Sequence, residues 1–155
     1  MPETLAPGDS APDFELPSTI GAVSLASALD GPTRVVLAFF HEASTPACEQ
    51  QVAMLKEAHD MIVELRGRVI AISADSLEAQ RAFAERLGGV PFALASDADL
   101  TVARAYGVVD AGDPRRAGRA VFVIDRDGTI THANGHFRPG NISQFEAMFA
   151  ALGTE

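Results

Sequence analysis

Apolar residues recur along this chain in two rhythms. Val35–Phe40, Val69–Ser73 and Ala120–Ile124 are short, nearly continuous apolar runs containing β-branched residues, the pattern of strands buried on both faces. Between and after them the spacing changes to three and four. Val52, Leu55, Ile62 and Leu65 follow Pro46, and Phe145, Met148, Phe149 and Leu152 lie within Ile142–Leu152, so one face of a helix is apolar in each case. Thr45 is a good N-cap and Pro46 suits the first helical position, where no intrahelical bond needs its missing N–H. That helix is predicted to end at Gly67. Asp75-Ser76 offers an N-cap for a second helix, Leu77–Leu87, which Gly88-Gly89 closes.

Weaker signals fill the gaps. Residues 6–31 read as a leading segment, with Ala11–Pro17 extended between prolines and Val23-Ser24-Leu25 an edge strand. Asp30-Gly31-Pro32 is a turn, Phe92-Ala93-Leu94 a short strand, and Leu100–Tyr106 a helical stretch that Asp97-Ala98-Asp99 initiates. Ala111–Gly118 reads as an exposed loop. Asp125-Arg126-Asp127-Gly128 joins Ala120–Ile124 to Thr129–Ala133 as a hairpin. Strands alternating with helices, then a hairpin and a last helix, predict an α/β architecture with a mixed central sheet flanked by helices. Periodicity alone does not single out one superfold.

Composition narrows the class. The 155 residues fit a single domain, 1–155, and 47% apolar with 21% charged content is that of a soluble globular chain. A net charge of −9 opposes general affinity for nucleic acid. No apolar run approaches the roughly 20 residues that cross a bilayer, and the start lacks the basic and apolar regions of a secretory signal. One cysteine excludes an internal disulfide and fits a reducing compartment. The expectation is therefore a cytoplasmic protein without membrane or nucleic-acid partners.

That cysteine is the centre of the candidate chemistry. Cys48 falls in the first turn of the helix opened by Pro46, where unbonded N–H groups and the helix dipole favour a thiolate. A lone cysteine is by itself more often a small buried hydrophobe. Glu42 and Glu49 would oppose a thiolate and are expected to face solvent. Gln51, one turn after Cys48, either faces the site or lies on a polar surface. Arg119 could be an ordinary surface residue, but its fixed charge and donor fork also suit stabilisation of a thiolate. The four histidines show no metal-ligand spacing, and no glycine-rich phosphate motif is present.

Three motifs in order resemble the peroxiredoxin family: Gly8-Asp9-Ser10-Ala11-Pro12-Asp13-Phe14, Phe39-Phe40-His41-Glu42-Ala43-Ser44-Thr45-Pro46-Ala47-Cys48, and Arg119–Gly128. Phe92–Val108 is also similar. The likeness is to the AhpC/TSA type, in its bacterioferritin-comigratory (Q-type) or one-cysteine bacterial subgroup. It implies a thioredoxin-like fold and a thiol peroxidase, with Cys48 as the peroxidatic cysteine, Thr45 holding peroxide by its hydroxyl, and Arg119 as the active-site arginine. His41, Pro46 and Gln51 would form the surrounding shell. Two departures stand out. His41 occupies the position of the family's usual proline, and Ala53 stands where many Q-type members place a resolving cysteine. A peroxidase of this kind would need an external thiol such as thioredoxin, glutaredoxin or a small thiol, and no metal or organic cofactor. Relatives of this type occur as monomers and homodimers. The alternative is a non-enzymatic redox sensor or interaction module on the same fold. A thioredoxin-like disulfide reductase is disfavoured, because Thr45 occupies the place of its second cysteine.

Overall fold

The computed structural model describes residues 4–29, 34–40, 46–109, 116–135 and 142–153. In chain order the elements are β1 (Glu15–Ser18), β2 (Gly21–Ser24), α1 (Leu25–Ala28), β3 (Arg34–Phe39), α2 (Pro46–Glu64), β4 (Gly67–Ser73), α3 (Leu77–Arg86), β5 (Ala93–Ser96), α4 (Thr101–Tyr106), β6 (Ala120–Ile124), β7 (Ile130–Asn134) and α5 (Ile142–Gly153). The strands form one mixed sheet in the order β2-β1-β5-β4-β3-β6-β7. β3, β4 and β5 run parallel, while β6 lies antiparallel to β3 with Phe39 opposite Ala120.

The strict alternation of β3 divides the core. Val35, Leu37 and Phe39 belong to one apolar cluster with Ile70, Ile72, Phe122 and residues of α4, including Tyr106. Val36, Ala38 and Phe40 belong to the other, with Val52, Leu55 and Ile62 of α2, Phe83 of α3 and Met148 of α5. Every residue of β3 is buried, which accounts for its continuous apolar reading. Tyr106 is fixed within its cluster because its hydroxyl donates to Pro12 O at 2.7 Å.

The main strands, helices and β6–β7 hairpin lie where the hydrophobic pattern places them, with local shifts. Helix α2 stops at Glu64 and Gly67 is the first residue of β4, so Gly67 does not end the helix. Arg66 takes the left-handed conformation instead, at φ 62°, with its N–H donating to Val63 O at 2.9 Å. The edge strand is Gly21–Ser24. Leu25 has left it to begin α1, capped by Ser24 Oγ, which accepts from Ser27 N at 3.2 Å. β5 begins at Ala93 rather than Phe92 and runs on to Ser96. Leu87 is the C-cap of α3 rather than its last helical residue. Within the predicted loop 111–118, residues 111–115 lie outside the described residues. Its far side is held by a bridge between Val109 and Ala117 and by Gly118 N donating to Val108 O at 2.7 Å.

Candidate active site

Two features of the sheet bring Cys48 and Arg119 to one end of it. β3 points its C-terminal end toward the start of α2, and Phe40 prolongs the strand by donating its N–H to Ile72 O at 2.9 Å. The antiparallel register then sets the beginning of β6 beside the end of β3, through the pair Phe39 and Ala120. Arg119 is the residue immediately before β6 and is half-buried. Arg119 and the helix that carries Cys48 are thus delivered to the same end of the sheet by neighbouring strands.

Pro46 is the first residue of α2, as its fixed φ and missing N–H predict. Cys48 follows in the first turn and has no solvent-accessible surface. It belongs to the apolar cluster of Phe40, Val52 and Met148. The start of a helix turns backbone N–H groups toward an anion, and burial removes the water that would compete for it. Glu49, the next residue, is exposed as expected. His41 and Thr45 lie outside the described residues, as does the side chain of Pro46.

Gln51 is the residue whose environment the sequence left open. It is 1% exposed, and its Nε2 donates to Phe39 O at 3.2 Å. It therefore ties the turn after Cys48 to the last residue of β3. Its Oε1 is buried and accepts no hydrogen bond among the described residues. The only sequence signal for this placement is that Gln51 adjoins Val52 on a helix whose apolar stripe begins there.

The ends of β4 and β5 carry a polar network that sequence reasoning missed. Gln80 Nε2 donates to Ser73 Oγ at 2.8 Å and to Ala95 O at 2.9 Å. Ser73 Oγ donates to Asp75 Oδ2 at 2.6 Å, and Ser96 Oγ donates to Asp75 O at 2.7 Å. Asp97 accepts from Val102 N at 3.2 Å and Ala103 N at 2.9 Å, holding the start of α4. Burial raises its carboxyl pKa against the lowering effect of those bonds. The expectation that this acidic stretch initiates a helix is met by Asp97. No group of three or more His, Cys, Asp or Glu residues is arranged to hold a metal among the described residues, and no described helix is long and apolar enough to cross a membrane.

The AhpC/TSA family model matches residues 7–133. Peroxiredoxin Bcp of Escherichia coli is 33% identical over 144 residues, which cover 88% of this chain and 90% of that protein. Chloroplastic peroxiredoxin Q of Sedum lineare is 31% identical over 134 residues, covering 85% of this chain and 70% of the relative. Among solved structures, peroxidoxin BcpB of Mycobacterium tuberculosis superposes with a TM-score of 0.83 at 29% identity, covering 96% of each chain.

Proposed function

This chain belongs to the AhpC/TSA family of peroxiredoxins, with its thioredoxin-like fold, and from that premise we propose that it is a thiol peroxidase acting through Cys48 alone. The observation that carries the proposal is the placement of Cys48, fully buried in the first turn of α2 at the sheet end where Arg119 precedes β6. The Cys48 thiolate attacks the distal oxygen of hydrogen peroxide or an organic hydroperoxide. The oxygen–oxygen bond breaks, the leaving alkoxide or hydroxide takes up a proton, and Cys48 becomes a sulfenic acid. Arg119, the hydroxyl of Thr45 and the N–H groups at the helix start stabilise the charge moving onto the departing oxygen, which is where most of the acceleration arises. Gln51 holds the reactive turn against Phe39 O.

The second half of the cycle needs another molecule. The chain has one cysteine, and Ala53, half-buried on α2, stands where many Q-type members place a resolving cysteine. An external thiol condenses with the sulfenic acid, releasing water and leaving a mixed disulfide. A second thiol then releases Cys48 and carries away the disulfide.

The test is to mix reduced protein with one equivalent of peroxide, trap the sulfenic acid and follow it by mass spectrometry. Rapid modification confined to Cys48 is expected, absent in Cys48→Ser and slowed about a hundredfold in Arg119→Ala. A rate no faster than that of an ordinary free thiol overturns the reading in favour of a redox-sensing or interaction module on this fold. A parallel His41→Pro variant measures what the departure at that position does to the rate.

A further inference from the structure

The end of the sheet remote from Cys48 holds an apolar groove that the peroxidase reading does not use. β4 spans Gly67–Ser73, so its start lies about 20 Å from the Cys48 end. The groove has a simple origin. β1 meets β5 in register only at Ser18 and Ala95, and the last bonds joining them are Thr19 N to Leu94 O at 3.1 Å and Leu94 N to Thr19 Oγ1 at 3.2 Å. Beyond that point the β1–β2 turn and the start of β5 border an opening between the hairpin, the beginning of β4 and the far half of α2.

The opening is about 260 Å³, with walls that include Val23, Ala28, Val63, Ile70 and Phe92. Two large apolar residues at its rim are left to solvent, Ile20 at 66% and Val63 at 53% exposure. His59 packs its ring near Phe92, with centroids 6.0 Å apart. The charge of the lining is opposite to that of the molecule. The chain carries 21 acidic against 12 basic residues, yet among the described residues no carboxylate lines the groove, whereas Arg68 does. Arg68 is exposed and the sole ion pair among the described residues joins Arg34 to Asp125. Ser24 and Ser27 add hydroxyl groups to the same lining.

An apolar trough edged by the exposed Arg68, with no acid among its described lining residues, selects an amphiphile with an anionic head. Its volume admits a small molecule, whereas a stable protein partner would need roughly 800 Å² of contact on each side. We propose that this groove binds a short-chain aliphatic carboxylate, its head on Arg68 and its chain along Val23, Ile70, Val63 and Phe92. The proposal is independent of the chemistry at Cys48.

Titration of octanoate into the isotope-labelled full chain, followed by amide chemical shifts, tests it. Saturable shifts are expected in the millimolar range, concentrated at Val23, Val63, Arg68 and Phe92. Arg68→Gln should weaken binding about fivefold or more, and the neutral octanamide should bind the unaltered protein as weakly as octanoate binds that variant. Arg68 is exposed, so the variant folds, and its own spectrum verifies this. Equal affinity for octanoate and octanamide, shifts centred elsewhere, or no saturation overturns the assignment. A concentration-dependent dimer that Val63→Glu dissociates, without octanoate binding, overturns it in favour of self-association.

Discussion

Gln51 and Gln80 are the same residue put to different uses. Each is buried on a helix, α2 or α3, and each donates its Nε2 to the carbonyl of a strand residue, Phe39 of β3 or Ala95 of β5. Each leaves its Oε1 without a hydrogen bond among the described residues. Their surroundings separate them. Gln80 also donates to Ser73 Oγ, whose hydroxyl is committed to Asp75, so it stands inside a network that joins α3 to β4 and β5. Among the described residues the Gln51 side chain has one bond, to the end of β3, and it stands one turn beyond Cys48. Residues three apart on a helix are near neighbours. A glutamine enclosed by a network acts on stability, while one adjoining a reactive turn acts on chemistry as well.

The largest separation between the two should come from Gln51→Glu. A glutamic acid there can keep the bond to Phe39 O only in its protonated form, and burial also disfavours its charge, so its folded pKa rises above the unfolded value of about 4.3. A group with a raised folded pKa contributes stability below the unfolded pKa and loses it as pH rises. The variant should therefore resemble the parent near pH 4 and lose roughly 1.4 kcal/mol per pH unit above that until the folded pKa is reached. Urea denaturation across this range measures the loss. A carboxylate one turn from Cys48 also opposes the thiolate, so sulfenic acid formation should slow at pH 7. Stability that tracks the parent at every pH would mean that position 51 is not confined as described.

Gln80→Leu should have a smaller effect and on one property only. It leaves Ala95 O without its side-chain donor and costs about 2 kcal/mol, measured by the shift in urea midpoint. The rate of Cys48 oxidation should not change. A fall in that rate comparable to the one at Gln51 would remove the distinction between the two sites.

How much of this was legible in the sequence depends on the range of the interaction. The apolar runs of β3, β4 and β6 and the helical stripes of α2 and α5 are local patterns, and they predicted the central elements. Pro46 marked the start of α2, and the Cys48 motif marked the candidate site. The failures are of two kinds. A left-handed helix end usually calls for glycine, and Gly67 stood ready for it, but Arg66 adopts the conformation and frees Gly67 to begin a buried strand. Leu25 is likewise drawn out of its predicted strand by the Ser24 cap. The second kind is non-local. Gln80, Ser73 and Ala95 meet from three elements. No spacing rule announces them. The burial of Gln51 likewise depends on where β3 ends, which its own neighbours in sequence do not state.

Ser73→Ala gives the smallest effect and the most direct view of the network. It removes a hydroxyl that donates to Asp75 and accepts from Gln80. Gln80 retains Ala95 O, and the half-buried Asp75 can turn to water, so the expected loss is about 1 kcal/mol. The double variant with Gln80→Leu makes the stronger claim. If the hydroxyl and the amide stabilise the fold through each other, removing both should cost less than the sum of the single losses, by about 0.5 kcal/mol or more. Strict additivity in the urea midpoints would show that the Gln80 bond to Ala95 O carries the junction alone. The contrast with Gln51 would then rest on proximity to Cys48 rather than on the network around Gln80.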